Sequence, residues 1–414
     1  MATHGAAEPR ETRNPSSLGG MRLRIVCVVP EYAPHVSGSE VYAQGVCEAL
    51  ARRGHDVRLV CGSSDSAPFT GDSERIGGVS VWRGIGARRS IHAAVRRCML
   101  RLGSSPEKVL ANRKALEYEA RLWAAAPDVV LALPVPRQSV VGAARFAKRS
   151  DCPAIVVPFY HLALDGFAED PSAWLGLLSS FNVVIASTAA EQSFLETRGI
   201  SPSRLRRPGM FVHRLPSPTP EAMRAFRDRL GVGSGFLIVG AAAGFSEPKG
   251  SLAVARAAAA LPHLTFAFFG GAPPRASLEK RVRLGSNVHL LGFVSEREKA
   301  VALAAADLFA LPSRADSFGI VYQEAHSLGT PSLALDLPVM REVIGPAGFY
   351  VDPAEGDDGI VRMLAELAQR PDRLRPAAAA APGVAARYAP DPALSRICEL
   401  VEEVSARAGG AAGG

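Results

Sequence analysis

Short apolar runs alternate with helical stretches along most of this chain, and the alternation begins a second time after residue 220. The run LRIVCVV at residues 23–29 is apolar throughout most of its length, as a strand buried on both faces of a parallel sheet must be. The segment PSPTP at residues 216–220 separates the two series, because Pro and Ser there favour extended backbone. The pattern predicts an α/β protein with two doubly wound, Rossmann-like domains that face a central cleft.

Four segments follow from this pattern. We expect a disordered leader at residues 1–20, an N-terminal domain at 21–215, a C-terminal domain at 216–392, and a terminal helix with a flexible tail at 393–414. The leader is polar and lacks the apolar core of a signal peptide. A helix is predicted at residues 41–53, and Ser295 with Glu298 forms a capping box that opens another. Strands are predicted at residues 23–29, 56–61, 129–133, 154–158, 183–187, 236–239, 264–269, 288–291, 307–311 and 332–335.

Composition narrows the class of protein. The chain has 414 residues, 48% apolar and 21% charged, which excludes a disordered or fibrous protein. No run of about 18 apolar residues predicts a membrane-spanning helix. The six cysteines form no C-x-x-C pair, so we expect neither a zinc site nor a disulfide framework, and a cytoplasmic location is the simplest. Three histidines have no spacing typical of metal ligands and are expected in loops or on the surface: His35, His55 and His326. The three tryptophans are expected to pack against other residues: Trp82, Trp123 and Trp174.

The loops after the first strand of each series argue against two common cofactor classes. Neither contains the G-x-G-x-x-G of dinucleotide enzymes, and Lys249-Gly250 is the reverse of the phosphate-loop order. Both loops do place small residues beside a helix start, where free amides attract anions. Around Gly38 the alternative is a simple capping box of Ser37 and Glu40. Lys249 precedes a helix that begins near Ser251 and is placed to reach a phosphate, or else is a solvated lysine.

The segment LPSRADSFGIVYQEAHSLGTP at residues 311–331 carries the most chemistry. It runs from a strand end through a loop with Asp316 and Gly319 into a helix with Glu324. Eight positions along a helix correspond to roughly 10 Å, whereas paired carboxylates of a retaining glycosidase lie about 5 Å apart. The two acids should therefore bind different parts of an elongated ligand, such as a sugar nucleotide.

These residues resemble those of the retaining nucleotide-sugar glycosyltransferases of the GT-B fold, in particular glycosyltransferase family 4. The family signature E-x7-E lies in a stretch like P-S-x-x-E-x-F-G-x-x-x-x-E-A-x-x-x-G-x-P, and Asp316 replaces its first Glu. Further similarity runs to about residue 352 and includes SGSEVY, EALARRGHDVRLV, Lys249-Gly250 and LLGFVSEREKAVALAAADLFALPS. The signature positions that match are Pro312, Ser313, Phe318, Gly319, Glu324, Ala325, Gly329 and Pro331.

The resemblance implies a role for each matching position. Glu324 would accept hydrogen bonds from ribose hydroxyls, and Lys249, with the amides around Gly38, would neutralise the diphosphate leaving group of a UDP- or GDP-sugar. Asp316, with the backbone amides of Phe318 and Gly319, would hold hydroxyls of the donor sugar. His161, in VVPFYH, falls where the family often has a His near the donor sugar. The resemblance implies no metal and no cofactor besides the donor substrate.

Some positions depart from the family pattern. Gly244 stands where an Arg usually precedes the K-G pair, and Arg314 is a candidate to replace that charge at the diphosphate. Phe211 stands where the family's N-G-V-D segment has its Asp. Asp316 is one methylene shorter than Glu, which affects donor choice or is simply accommodated.

Positive charge is concentrated outside these motifs. The chain carries a formal charge of +7, whereas residues 75–149 hold 15 basic and 4 acidic residues, a net of +11. Three interpretations remain open: a solvated face, a surface for anionic lipid, and a dock for an anionic acceptor. Nucleic acid is disfavoured, because no reading motif accompanies the charge.

The resemblance thus implies a metal-independent retaining glycosyltransferase, with the acceptor on the first domain and the nucleotide sugar on the second. The acceptor would be a hydroxyl of a glycolipid, a cell-envelope glycan or a small metabolite, with a peripheral position on the inner face of the membrane as an option. Two alternatives remain open. One is a non-catalytic GT-B protein that binds a sugar nucleotide or a partner, and the other is a GT-B nucleotide-sugar epimerase or hydrolase.

Overall fold

A computed structural model describes residues 22–32, 38–62, 74–85, 106–135, 137–162 and 171–411. The predicted leader at residues 1–20 and the last three residues of the tail lie outside these ranges. The described chain forms two sheets, one of eight strands and one of six, each with covering helices. This is the α/β architecture that the strand and helix alternation predicts.

The first sheet has the order β3-β4-β2-β1-β5-β6-β7-β8 and is parallel except for the β3–β4 pair. Central strand β1 pairs with β2 on one side and β5 on the other, so Ile25 lies opposite both Val57 and Val129. Chain order therefore reverses beside β1, and a cleft opens there at the carboxyl ends of the strands. The elements are β1 Arg24–Val28, α1 Gly38–Arg52, β2 Asp56–Gly62, β3 Glu74–Ile76, β4 Val79–Ile85, α2 Pro106–Ala125, β5 Val129–Ala132, α3 Gln138–Ala147, β6 Ala154–Val156, α4 Pro171–Leu178, β7 Val183–Ile185, α5 Ala189–Thr197 and β8 Leu205–Arg206.

The second sheet has the order β11-β10-β9-β12-β13-β14 and is wholly parallel. The order of the strands along the chain reverses between β9 and β12. The predicted capping box of Ser295 and Glu298 is confirmed at the start of α9. The elements are α6 Pro220–Arg229, β9 Leu237–Ala241, α7 Ser251–Ala260, β10 Thr265–Phe269, α8 Arg275–Leu278, β11 Val288–Gly292, α9 Glu296–Ala305, β12 Leu308–Ala310, α10 Ile320–Ser327, β13 Ser332–Leu335, α11 Pro338–Ile344, β14 Gly348–Val351, α12 Gly356–Gln369, α13 Leu374–Ala386 and α14 Pro390–Ala411.

Four strands were not among those predicted: β3, β4, β8 and β14. The hairpin of β3 and β4 turns at Gly77-Gly78, where both residues have positive φ, and its first strand has no buried residue. Strand β8 has only two residues. Strands β3, β8 and β14 are edge strands, and β4, which pairs with both β3 and β2, alternates buried and half-buried residues, so none of the four has the fully buried apolar run that marks a central parallel strand.

The terminal helix α14 belongs to the contact between the domains. It packs against α1, where Arg53 Nη1 lies 3.1 Å and His55 Nε2 3.0 Å from the carboxylate of Glu402. His55 lies in the loop between α1 and β2, as expected, although only 7% of its side chain is exposed. None of the helices in the described ranges is both long and apolar enough to cross a bilayer.

Candidate active site in the cleft between the domains

Two loops at the carboxyl ends of β9 and β12 are tied together. The carbonyl oxygen of Pro248 accepts hydrogen bonds from the amides of Arg314, at 2.8 Å, and Ala315, at 3.1 Å. Gly250 lies against Pro312 with a φ of +73°, and a Cβ there would be 2.2 Å from the Pro312 carbonyl oxygen. Only glycine permits both this backbone conformation and this approach. The K-G pair of the sequence is therefore held directly against the signature segment.

Lys249 and Asp316 form an ion pair at this junction. Lys249 Nζ donates to Asp316 Oδ1 at 2.8 Å and to the Ala315 carbonyl at 2.6 Å. Burial alone would raise the pKa of Asp316, but Lys249, the Ser313 hydroxyl and His161 together hold it below its usual value. The other carboxylate oxygen, Oδ2, is buried and has no hydrogen-bond partner among the described residues. Asp316 is therefore an ionised acceptor with one oxygen available to a ligand.

His161 follows β6 in the first domain and reaches the same place. Burial, together with the positive charges of Lys249 and Arg137, lowers its pKa to about 4, although the charge of Asp316 opposes this shift. The imidazole is thus neutral at pH 7. The structure brings together three residues predicted from separate motifs, His161, Lys249 and Asp316, although their roles in catalysis stay predictions.

Glu324 lies on α10, in the second domain. Its Oε1 accepts a 2.6 Å hydrogen bond from Lys299 Nζ on α9, and its Oε2 is buried without a partner in the described part of the chain. Burial raises the pKa of Glu324, and the charge of Lys299 opposes the rise. A buried carboxylate with one oxygen unbonded can accept hydrogen bonds from a ligand hydroxyl. Sequence reasoning did not find Lys299, which is 25 positions from its partner.

The first turns of two helices face each other across the cleft. Gly38 begins α1, and a Cβ on it would be 3.4 Å from Cδ1 of Ile320, the first residue of α10. Gly319 caps α10 with a φ of +77°, which L-residues rarely adopt. The free amides and positive dipole ends of both helices therefore point toward one region, which suits an anionic group. Phe318, beside Gly319, is buried and lies edge-on to Tyr388 at 4.9 Å.

The departures from the family pattern have structural counterparts. Gly244 lies in a tight turn with a φ of +70° and donates its amide to Gly271 O at 2.8 Å. Arg314 donates its guanidinium to the Pro353 carbonyl at 3.0 Å. Phe211 is buried and stacks on Tyr42 with ring centroids 5.1 Å apart. Phe211 is therefore a core residue.

The second domain also contacts the start of α5. The amides of Ala189 and Ala190 donate to the two carboxylate oxygens of Glu342 at 2.7 and 3.0 Å. Beside them, Ser187 Oγ lies 3.3 Å from the carbonyl oxygen of Ser317, in the signature loop. Sequence reasoning missed these residues, because polar contacts between domains leave no periodic signal. Within the described ranges no three His, Cys, Asp or Glu side chains could hold a metal ion, and metal independence remains a prediction.

Some of the basic residues at positions 75–149 form contacts with other residues of the first domain. Arg83 is buried and donates to Glu74 and to the Tyr32 carbonyl. Arg121 stacks over Trp82 at 3.5 Å from the ring centroid, and Arg149 pairs with Glu119 at 2.6 Å. Residues 86–105 of this basic stretch lie outside the described part of the chain, and the structure follows it again from residue 106, where α2 begins.

Two residues lie in surroundings that differ from those expected from the sequence. Trp123 on α2 was expected to be a packing residue, yet 48% of it is exposed although its ring meets Phe146 at 4.8 Å. His326 was expected in a loop or on the surface, yet it is fully buried on α10 and bonds Ser332 Oγ at 2.8 Å.

Two facing Rossmann-like domains with a charged cleft at both topological reversals define a GT-B protein. Comparison with known proteins gives the same class. The family model described as a glycosyl transferase 4-like domain matches residues 37–209, and the one described as glycosyl transferases group 1 matches residues 236–370. The chain belongs to the group 1, family 4 glycosyltransferases of the GT-B fold.

Solved structures share this fold over nearly the whole chain. Sucrose-phosphate synthase from Thermosynechococcus elongatus has a TM-score of 0.75 at 17% identity and covers 93% of this chain and 100% of its own. WaaG, a glycosyltransferase involved in lipopolysaccharide biosynthesis, has a TM-score of 0.68 at 14% identity, with coverage of 91 and 99%. Anabaena HepE in complex with UDP and glucose has a TM-score of 0.66 at 18% identity, with coverage of 92 and 100%.

Sequence relatives match over shorter segments. The GDP-mannose-dependent monoacylated alpha-(1-6)-phosphatidylinositol monomannoside mannosyltransferase of Corynebacterium glutamicum is 29% identical over 40% of this chain and 46% of its own. The phosphatidyl-myo-inositol mannosyltransferase of Mycolicibacterium smegmatis is 32% identical over 32 and 36%. The D-inositol 3-phosphate glycosyltransferase of Corynebacterium urealyticum is 27% identical over 54 and 57%. The matches thus span less than two thirds of these relatives.

Proposed function

We propose that this protein is a retaining glycosyltransferase that moves a hexosyl group from a nucleoside-diphosphate sugar to an acceptor hydroxyl. The observation that carries the proposal is the convergence of Lys249, Asp316 and His161 in the cleft. Lys249 supplies a cation for a diphosphate, Asp316 an ionised acceptor for sugar hydroxyls, and His161 a neutral imidazole. Family membership supports it, as do relatives whose names include GDP-mannose and neighbours solved with UDP.

In this proposal the nucleotide lies on the second domain. Glu324 Oε2 accepts hydrogen bonds from the ribose hydroxyls, while Lys299 keeps the carboxylate ionised by its contact at Oε1. The diphosphate lies near Lys249 and the facing starts of α1 and α10, where a metal ion is not required for charge neutralisation. Arg314 is a further candidate contact, once released from Pro353.

The donor sugar then lies between His161 and Asp316. Asp316 Oδ2 accepts from a sugar hydroxyl, and His161 holds another hydroxyl or the acceptor. In the transfer step the bond from the anomeric carbon to the phosphate oxygen breaks, and the acceptor oxygen bonds to the same carbon from the same face. The acceptor proton passes to the departing phosphate oxygen. Exclusion of water from the closed cleft favours transfer over hydrolysis.

The test is a screen of the purified protein for binding of UDP-, GDP- and dTDP-sugars, followed by an assay for nucleotide release with a lipid or glycan extract as acceptor. We expect one donor class to stabilise the protein, and Glu324→Gln to weaken that binding about tenfold or more. Glu366→Gln, an exposed glutamate on α12 of the same domain, is the control. A flat response to every donor would overturn the proposal.

Two other outcomes identify the alternatives. Donor binding without release of nucleotide in any extract indicates a non-catalytic binding protein. Conversion of the donor without an acceptor indicates an epimerase or a hydrolase. Either outcome would contradict transfer while leaving the family assignment intact.

We also propose that α2 rests on an anionic membrane surface on the cytoplasmic side, so that the acceptor is a lipid-linked hydroxyl. Leu116 and Trp123, seven residues apart on α2, are 53 and 48% exposed, with Ala120 between them and Arg113 one turn before Leu116. An apolar stripe flanked by basic residues suits the interface of an anionic bilayer. Names of two relatives refer to phosphatidylinositol-based substrates.

Sedimentation with phosphatidylglycerol vesicles tests this surface. We expect the protein to bind these vesicles, to bind phosphatidylcholine vesicles less, and to lose most binding on Trp123→Ala with Leu116→Ala. Phe293→Ala is the control, because Phe293 is 84% exposed but lies on the second domain. Equal losses from both changes, or no binding to anionic vesicles, would reject the membrane proposal.

A further inference from the structure

The loop that carries His161 contains a strained backbone position. Phe159, two residues before His161, has a φ of +50°. This is the left-handed region, which costs free energy for any residue with a Cβ. Such a conformation persists only where surrounding contacts hold it, and it is typical of functional loops. The turn at Phe159 therefore needs contacts that fix it.

The contacts at this turn come mainly from α5. The amide of Tyr160, directly after Phe159, donates to Oε1 of Glu191 at 2.6 Å. The Tyr160 ring stacks on Phe194 of the same helix, with ring centroids 5.0 Å apart. The Phe159 ring meets Tyr42 of α1 edge-on at 5.2 Å. Of these three contacts, the hydrogen bond to Glu191 is the one that acts on the backbone.

Glu191 is used differently from an ordinary helix-capping glutamate. It is the third residue of α5, where the glutamate of a capping box would bond the amide of the N-cap residue, here Thr188. The Thr188 hydroxyl does accept from the Glu191 amide, at 3.1 Å. The Glu191 carboxylate instead reaches Tyr160 with Oε1, while its Oε2 accepts from the amide of Ser187 at 2.7 Å and from its hydroxyl at 2.5 Å. The carboxylate thus connects the start of α5 to the loop with His161.

The hydrogen bonds around Glu191 fit an ionised carboxylate. Its side chain is fully buried, and burial and the charge of Glu342 raise its pKa, whereas the Ser187 hydroxyl and the amides of Tyr160 and Ser187 oppose that rise. Backbone N–H groups can only donate, so both carboxylate oxygens act as acceptors. The first turn of a helix also favours a negative charge. Without the carboxylate, two amides would lose their acceptor, and a shift of the loop would relieve that cost.

We propose that Glu191 is a positioning residue that holds the strained turn at Phe159 and so places His161 in the cleft. When the carboxylate is removed, Phe159 relaxes toward negative φ, because the bond that fixes the next amide is gone. His161 then moves out of its place in the cleft. The consequence for catalysis rests on the proposed function, whereas the placement of His161 does not.

The pKa of His161 reports where its side chain lies. Burial and the charges of Lys249 and Arg137 lower this pKa to about 4, and the charge of Asp316 opposes the shift. Lys249 and Asp316 belong to the second domain, and Arg137 precedes α3 in the first. An imidazole that leaves this place is more exposed to water and farther from both cations. Its pKa then rises toward the ordinary value of about 6.5.

NMR titration of the full-length protein with labelled histidine tests the placement directly. The chain has nine histidines, and the signal of His161 is identified by its loss in His161→Gln. We expect Glu191→Met, which removes both acceptor oxygens, to raise the pKa of His161 well above its native value of about 4. Glu196→Met is the control, because Glu196 lies on the same helix and bonds Gln192, and it should leave this pKa unchanged.

A second variant keeps the test decisive if Glu191→Met does not fold. Glu191→Gln keeps one oxygen acceptor and places an N–H donor where the other acceptor was, so one of the two linked amides loses its partner. We expect a pKa for His161 between that of the native protein and the ordinary value. A pKa that stays at about 4 in folded Glu191→Gln would overturn the proposal, whether or not the protein transfers a sugar.

Steady-state kinetics tests the consequence for transfer. Glu191→Gln should lower kcat by roughly three- to tenfold with the donor KM nearly unchanged, because Glu324 and Lys249 stay in place. In a His161→Gln background the same change should lower kcat no further, since Glu191 acts through His161. Equal losses of kcat in both backgrounds would refute this role. Absence of transfer from the native protein, together with a raised pKa of His161 in Glu191→Gln, would refute the proposed function and leave the positioning role of Glu191.

Discussion

Lys299 Nζ lies 2.6 Å from Oε1 of Glu324, and both groups are largely buried. Burial raises the pKa of Glu324, and the charge of Lys299 opposes that rise and so favours the ionised carboxylate. The ion pair also gives the two carboxylate oxygens different roles, because Oε1 is hydrogen-bonded to the lysine and Oε2 is left for a ligand. Lys299 therefore controls the charge of the residue that we propose binds the donor ribose.

Replacement of Lys299 by Met should weaken donor binding most at low pH. The positive charge of Lys299 lowers the pKa of Glu324, so its loss raises that pKa further. The carboxylate is the binding form above its pKa and is lost as pH falls, so the loss of affinity should move to higher pH. At pH 6 we expect the Kd for the donor, measured by calorimetry, to be about tenfold larger in Lys299→Met than in the native protein. Lys280→Met, at an exposed position, is the control, and an unchanged pH dependence would contradict the role of Lys299.

Lys249 and Asp316 should behave as one unit in a double-mutant cycle. Lys249→Met leaves Asp316 mostly buried without its cation and should lower the free energy of unfolding by roughly 1–2 kcal/mol, a value reduced because Lys249 is one third exposed. Adding Asp316→Asn should recover most of that loss in denaturant unfolding but should not restore transfer. Additive effects of the two changes on stability would show that the ion pair is not coupled.

Two glycines with nearly equal φ provide a matched test of the loop junction. Gly250 and Gly244 have φ of +73° and +70°, but a Cβ at Gly250 meets the Pro312 carbonyl at 2.2 Å, whereas one at Gly244 meets nothing within 4 Å. Gly244→Ala should cost about 1 kcal/mol from backbone strain alone. Gly250→Ala should cost at least twice as much in thermal unfolding and should weaken donor binding. Similar costs at both positions would mean that the contact with Pro312 is not rigid.

His326 should make stability depend on pH in the acid range. Burial lowers its pKa to about 3, whereas an unfolded histidine titrates near 6.5. The folded protein binds the proton less well, so this contribution to stability is complete above about pH 6.5 and falls as pH drops toward 3. Unfolding free energies measured at several pH values should show a shallower acid slope in His326→Asn. An identical slope would show that His326 is not the titrating group.

Most of the architecture could be predicted from the sequence. The central strands were predicted within a few residues, because a parallel strand covered on both faces must be apolar along its length. The hairpin at Glu74–Ile76 and Val79–Ile85 was not, because its first strand is an edge strand without a buried residue and its second alternates buried and half-buried residues. From the sequence, Phe211 was noted only as the position where the family's N-G-V-D segment has an Asp. The structure shows that Phe211 is a core residue stacked on Tyr42.

The candidate site, too, could be predicted from the sequence only in part. Lys249, Asp316 and Glu324 were identified from local patterns, since each lies beside a strand end or helix start that the sequence marks. The contacts that these residues make were not predicted, because Lys299 is 25 residues from Glu324 and Lys249 is 67 residues from Asp316. Sequence by itself determined two α/β domains and the carboxylates and lysine at their edges, because periodicity and spacing are local properties. Only the tertiary structure decided which of these groups are buried, paired or protonated, because those states depend on side chains that folding brings together from distant segments.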